Sequence, residues 1–205
     1  LLSLSLHKRF DSHDLVKIVS GDARKLNMGE IAGGPFHVVA NLPYSVGTRL
    51  VVDLLGANQP PRSWTVLLQK EVAQKLTAEP GQMGLLSVSV QSHAQVRHLF
   101  DVSPSAFRPR PKVTSSLVRI QPFQRETLRA VDLEGRIALA RHGFSQTRKK
   151  LRNSIAAGPG RPEGDIEQAL SIAGIDPARR PQTLALEEWD ALAEAVPTAR
   201  KRNMK

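Results

Sequence analysis

Cysteine is absent from the 205 residues. That excludes disulfides and thiolate metal sites, and it fits a reducing cytoplasm without requiring one. No apolar run approaches the roughly twenty residues needed to span a bilayer, so no membrane association is expected. The six histidines are scattered without a ligand spacing such as H-E-x-x-H, and no metal site is expected. Internal repeats and long low-complexity segments are missing, and Gly33-Gly34 matches no G-x-G-x-x-G turn. Acidic residues are outnumbered: 29 Lys and Arg stand against 19 Asp and Glu, for a formal charge of +10 and a pI near 10.5. Counterion release from nucleic-acid phosphates rewards such a surface, although a merely solvated basic surface has the same composition.

The pattern of what is present predicts an α/β core followed by helices. Val16-Lys17-Ile18-Val19, Phe36-His37-Val38-Val39-Ala40 and Thr65-Val66-Leu67-Leu68-Gln69 read as strands, the second of them buried. Helical patterns start at Val46 and span Lys70 to Leu76, and Leu1 to Leu6 reads like a helix interior. Leu85 to Gln91, Gln95 to Phe100 and Thr114 to Ile120 are further strand candidates, the last two pairing antiparallel at a sheet edge. Beyond Gln121-Pro122-Phe123-Gln124, apolar residues recur at helical spacing over Leu128 to Phe144, Thr147 to Ala157, Ile166 to Ala173 and Leu184 to Val196. Gly158-Pro159-Gly160-Arg161-Pro162 breaks that series, and Asp176-Pro177 marks a turn. The expected organisation is a sheet domain over 1–122, a helical domain over 123–196 and a basic tail over 197–205.

Asn41-Leu42-Pro43-Tyr44 follows the second strand and carries the most chemistry. An adenine amino group is a poor nucleophile because its lone pair is delocalised into the ring. Oxygens accepting its two N–H bonds draw that pair back onto nitrogen, and the Asn41 side chain and the Leu42 carbonyl could be those acceptors. Pro43 has a fixed φ and no N–H, and it holds Leu42 extended. Tyr44 can stack on the base. No strong general base is demanded, because the methylated amine is acidic enough to lose its proton to water, so positioning and electrostatics dominate. The same four residues also suit an ordinary turn. Likewise Asp22, in Ser20-Gly21-Asp22-Ala23, suits either a ligand-binding loop at a strand end or a helix N-cap. Phe107-Arg108-Pro109-Arg110-Pro111-Lys112-Val113 forms a rigid, basic, aromatic loop suited to an extruded base and its phosphates.

In their order and spacing these segments resemble the rRNA adenine N6,N6-dimethyltransferase family. Gly21-Asp22-Ala23, Asn41 to Tyr44, Leu68 to Ala73, Leu86 to Gln91 and Phe107 to Ser116 carry the resemblance. A basic helical segment from His142 to Asn153 looks like the start of that family's small C-terminal domain. The resemblance implies a Rossmann-like S-adenosylmethionine-dependent methyltransferase sheet with a small all-α C-terminal domain. It implies that Asp22 and Ala23 hold the adenine of the cofactor, with Asn41 nearby, and that Asn41 and Leu42 receive the target amine. Pro43 belongs to the same catalytic loop, and Tyr44 and Phe107 would hold the target base between them. Arg108, Arg110, Lys112, Arg148, Lys149, Lys150 and Arg152 would meet RNA phosphates. The implied substrate is a pair of adjacent adenines in the hairpin loop near the 3′ end of small-subunit rRNA. It would be modified in the cytoplasm by a monomer acting on an immature 30S subunit. Related enzymes that methylate large-subunit rRNA and confer antibiotic resistance are the nearest alternative.

The family pattern is broken at the front. Its glycine-rich turn after the first strand and its ribose-binding acidic residue have no counterpart here, and the chain opens on Leu1. The expectation is therefore a fragment lacking its first two strand-helix units, less stable than the whole and weak in cofactor binding. A non-catalytic RNA-binding or ribosome-assembly module is the reading from another class.

Overall fold

The computed structural model describes residues 2–57, 59–124, 128, 132–157 and 163–196. These divide into two compact units, Leu1–Pro35 and Phe36–Lys205. No helix among the described residues is long and apolar enough to cross a membrane.

The first unit holds α1 (Leu2–Phe10), on the segment expected to be helical, and α2 (Met28–Ala32). His7, Lys8 and Arg9 occupy the last turn of α1, where positive charge meets the negative end of the helix dipole. Asn27 caps α2 by accepting the Glu30 backbone N–H at 3.3 Å. Val16 to Val19 is irregular, against the expectation of a strand. A strand exists only through a hydrogen-bonded neighbour, and among the described residues the one sheet contains no partner for this segment.

The second unit is built on a sheet of four strands in the order β1-β2-β4-β3: β1 (His37–Asn41), β2 (Ser63–Gln69), β3 (Ala94–Val102) and β4 (Ser115–Pro122). β1 and β2 run parallel, joined through α3 (Gly47–Leu55), as a parallel pair requires. β4 lies antiparallel to both β2 and β3, and the expected edge pairing is observed. β2 shows strand period plainly, with Trp64, Val66 and Leu68 buried and the residues between them half-buried. β1 corrects the expectation of a buried strand: among the described residues it is an edge strand with one neighbour, and Val39 is 84% exposed. Gly47 lets α3 press onto the sheet, since a Cβ there would lie 2.9 Å from Leu68 Cδ2. α4 (Lys70–Leu76) follows β2 without a break, as its pattern predicts.

Leu85 to Gln91, expected as a strand, is a helix, α5. Its alternating Val-Ser-Val sequence suits a pleated surface, but burial on two sides decides otherwise. The Ser87 hydroxyl donates to the Lys75 carbonyl at 2.7 Å and accepts from the Gly84 N–H at 2.9 Å. Gln91 Nε2 donates to the Leu76 and Ala78 carbonyls, both at 2.9 Å. Val88 and Met83 enter the core of the helices that follow. These are α6 (Leu133–Ser145), α7 (Leu151–Ala156), α8 (Glu163–Ile172) and α9 (Leu186–Ala195). Leu139, Leu151, Ile155, Ile166, Leu170 and Trp189 fill that core. Gly158 to Pro162 and the basic tail 197–205 lie outside the described residues.

Candidate active site

Asn41 closes β1, opposite Leu67 of β2. Two residues on, the Pro43 carbonyl accepts the Val46 and Gly47 N–H groups, both at 3.0 Å, and starts α3. The intervening loop is thus fixed at both ends. Leu42 turns its side chain into the core, Asn41 and Pro43 are exposed, and Tyr44 is half-buried. Among the described residues nothing hydrogen-bonds the Asn41 side-chain amide. The Tyr44 hydroxyl and the Ser115 hydroxyl share a 2.6 Å hydrogen bond, and Ser115 is buried at the start of β4. Seventy-one residues separate this pair, so no local signal in the sequence reveals Ser115 as the group that orients the ring.

Phe107 reaches the same place from the other side of the chain. The 3-10 turn Pro104–Ala106 is capped by Ser103, whose hydroxyl accepts the Ser105 N–H at 3.3 Å, and Phe107 N–H donates to the Pro104 carbonyl. Asn41, Leu42, Pro43, Tyr44, Phe107, Pro109 and Pro111 line one open cavity of about 330 Å³, within the range of small-ligand pockets. Five of these seven are sequence-predicted site residues. Pro109 and Pro111, recognised only as stiffeners of their loop, also form wall. The exposed Arg108, Arg110 and Lys112 alternate with those prolines, and among the described residues they have no acidic partner.

The loop between β3 and β4 is moored at Asp101. Its carboxylate accepts from Lys70 Nζ at 2.6 Å and from the Ser116 hydroxyl at 2.7 Å, and it meets His98 Nε2 at 2.8 Å. The Lys70 hydrogen bond, then those of Ser116 and His98, hold this carboxyl well below the usual carboxylate range. A lowered folded value means that the stabilisation is complete above the ordinary carboxylate pKa near 4 and is lost as pH falls below it toward the folded value. Asp101→Asn is therefore expected to flatten the acid limb of stability below about pH 4. Urea denaturation at pH 3 and pH 6 checks this, and an acid limb as steep as the parent's counts against it.

Asp22 and Ala23 belong to the first unit. Asp22 is neither at a strand end nor an N-cap, since Asn27 caps α2. It accepts the Arg24 backbone N–H at 3.0 Å and the Arg24 guanidinium, with Nη2 at 2.6 Å from Oδ2. That guanidinium, followed by the backbone N–H, lowers its pKa to about 2. The residue is therefore an ionised acceptor at neutral pH and fits a donor such as an adenine amine, for which Arg24 competes.

The segment from His142 to Asn153 is not one helix. α6 ends at Ser145, the Lys149 N–H donates to the Gln146 carbonyl at 2.9 Å, and α7 begins at Leu151. Arg148, Lys149 and Lys150 occupy the exposed turn between helices, and none has an acidic partner among the described residues. Arg152, on α7, instead gives Nη1 to Glu167 at 3.0 Å, which offsets its charge.

A family model described as "Ribosomal RNA adenine dimethylase" matches residues 1–197. The chain is 40% identical over 184 residues to "Ribosomal RNA small subunit methyltransferase A" of Desulfitobacterium hafniense, covering 88% of this chain and 66% of that protein. A protein of the same name from Acinetobacter baylyi is 37% identical over 200 residues, covering 95% and 70%. The chain thus spans about two thirds of the length of such relatives. Two crystal structures share the fold. The 23S rRNA methyltransferase ErmE has a TM-score of 0.71 at 23% identity, covering 95% of this chain and 78% of its own. A dimethyladenosine transferase from Plasmodium falciparum has a TM-score of 0.70 at 21% identity, covering 92% and 75%. At these identities the two structures speak for the Rossmann-like methyltransferase fold alone. With the family match running through 197 of 205 residues, the chain belongs to the ribosomal RNA adenine dimethylase family.

Proposed function

We propose that the protein dimethylates N6 of two adjacent adenines in the 3′-terminal hairpin loop of small-subunit rRNA, using S-adenosylmethionine, during assembly of the 30S subunit. The observation that carries this reading is the convergence of Asn41, Leu42, Tyr44 and Phe107 on one cavity, from segments more than sixty residues apart. Asn41 and the Leu42 carbonyl accept the two N–H bonds of the target amine and localise its lone pair. Tyr44, its hydroxyl held by Ser115, and Phe107 flank the base and exclude water. Bases in a hairpin loop are unstacked more cheaply than in a duplex, so the pocket can take one adenine at a time. When bound, S-adenosylmethionine supplies an electrophilic methyl group. Asp22, Ala23 and Asn41 are the residues assigned to it, Asp22 as acceptor for its adenine amine. The names of the relatives support a small-subunit substrate over a large-subunit one. The protein acts as a cytoplasmic monomer, with the sheet region to residue 122 performing the chemistry and the helices over 123–196 orienting RNA.

Incubation of the protein with methyl-labelled S-adenosylmethionine and immature 30S subunits tests this. Mass spectrometry of the digested RNA is expected to find N6,N6-dimethyladenine at two neighbouring positions. Retained RNA binding without any transfer would instead identify a binding module. Arg148, Lys149 and Lys150, together with Arg108, Arg110, Lys112 and Arg152, are assigned to RNA phosphates. Replacing Arg148, Lys149 and Lys150 by Ala is expected to weaken RNA binding and to lower the slope of log K against log salt by roughly one for each phosphate left without its cation. Affinities measured at several salt concentrations check it, and an unchanged slope removes these residues from the interface.

A further inference from the structure

The open face of the β3–β4 ladder carries a second basic feature, distinct from the loop cations. Gln95 and Arg97 of β3 stand directly across from Gln121 and Arg119 of β4. All four are exposed, and together they line a recess of about 150 Å³. Like charges directly opposite one another on a ladder destabilise it, so the Arg97–Arg119 register has a cost to the fold. Three guanidiniums elsewhere in the chain are neutralised in place: Arg49 by Asp53, Arg136 by Asp190 and Arg179 by Glu188. Among the described residues Arg97 and Arg119 have no acidic partner, and no carboxylate lines the recess. It therefore holds a pair of uncompensated cations beside a pair of side-chain amides.

The ligand such a recess fits is a tetrahedral oxyanion. Guanidinium groups offer paired N–H donors matched to phosphate oxygens, and the Gln amides add neutral donors at the margin. Strand alternation puts Ser115, Leu117, Arg119 and Gln121 on one face of β4. Arg119 lies four residues from Ser115, the partner of Tyr44, or roughly 14 Å along the strand at about 3.4 Å per residue. That separation is short enough for one RNA strand to meet both the Tyr44 pocket and this recess.

We propose that Gln95, Arg97, Arg119 and Gln121 form a phosphate clamp that grips one backbone phosphodiester of the RNA beside the flipped nucleotide. The proposal rests on the RNA substrate proposed above. The chemistry is shared with free phosphate, so the test separates the two.

Binding of the full chain to an RNA hairpin with two adjacent loop adenines is measured across salt concentrations, for the parent and for Arg97→Gln/Arg119→Gln. The double variant is expected to bind roughly tenfold more weakly, with a salt slope lower by about one, the share of a single phosphate. Its thermal midpoint should be equal to the parent's or higher, because a repulsion has been removed. Arg97→Lys/Arg119→Lys, which keeps the charges but loses the paired donors, should fall between the two and guards against a misfolded double variant. Unchanged RNA affinity and slope overturn the clamp. So does direct binding of inorganic phosphate that the double Gln variant abolishes while RNA binding stays at the parent level, which marks a site for the free anion only. If the parent binds RNA with the expected slopes yet transfers no methyl group, the catalytic reading fails and the clamp stands.

Discussion

Asn41→Ala is expected to lower methyl transfer by roughly 10²–10³-fold or more, with RNA binding near the parent level. Two features of the site separate these effects. The Asn41 amide is exposed and has no protein hydrogen-bond partner among the described residues, so its removal leaves the loop intact. The loop is held by other groups: the Pro43 carbonyl, which accepts from Val46 and Gly47, and the buried Leu42 side chain. In the proposed role of Asn41, the substitution deletes an acceptor that the adenine amine needs most as it turns pyramidal in the transition state, which is why the loss is expected to fall on rate. Single-turnover transfer at saturating RNA, measured beside RNA affinity, checks it. Equal losses in both would make Asn41 a structural residue and would remove the chemical basis of the pocket.

Asp190→Ala is expected to be the most damaging single change to stability outside the apolar core. Arg136 is only 5% exposed, and it gives Nε and Nη2 to the Asp190 carboxylate and Nη1 to the Ser92 hydroxyl at 3.0 Å. This guanidinium joins α6 to α9 and to the end of α5, so it ties the helices to the sheet region. Removing the carboxylate leaves a buried cation with one neutral partner, and breaking a buried pair from one side costs about 3–5 kcal/mol. Asp190 itself is partly exposed, so the lower end, about 3 kcal/mol, is expected. Urea denaturation followed by far-UV circular dichroism measures it. Arg136→Met/Asp190→Leu is expected to recover much of the stability, because it removes both charges together. A cost below about 1 kcal/mol for Asp190→Ala would show the pair to be solvated rather than buried.

Much of the architecture is legible where the local pattern and the final environment agree. β2 contains the predicted Thr65–Gln69, α4 occupies the predicted Lys70–Leu76, and β3 pairs with β4 in the expected sense. The helices after residue 132 overlap their apolar repeats but differ at the ends, Glu163–Ile172 starting three residues before its repeat and Leu151–Ala156 four residues inside its own, because a pattern does not show where capping groups start or stop a helix. Three readings failed for a common reason. Leu85 to Gln91 became a helix, Val16 to Val19 joined no strand among the described residues, and β1 proved exposed. In each case the deciding quantity was which surface the segment meets, and a segment does not carry that information.

The order of residues determined the chemistry on offer: an Asn-Leu-Pro-Tyr corner, an aromatic-proline-cation loop and a large excess of positive charge. Residue types and short spacings suffice for this, since side-chain acceptors, fixed φ angles and charges are local properties. Only the tertiary structure decided what those groups do together. It brought Phe107 and Tyr44 to one cavity, bonded Tyr44 to Ser115 seventy-one residues away, left Arg148, Lys149 and Lys150 in a turn, and aligned Arg97 with Arg119. Pairings across a sheet depend on strand register and burial, which the whole chain settles at once by minimising unpaired polar groups and exposed apolar surface.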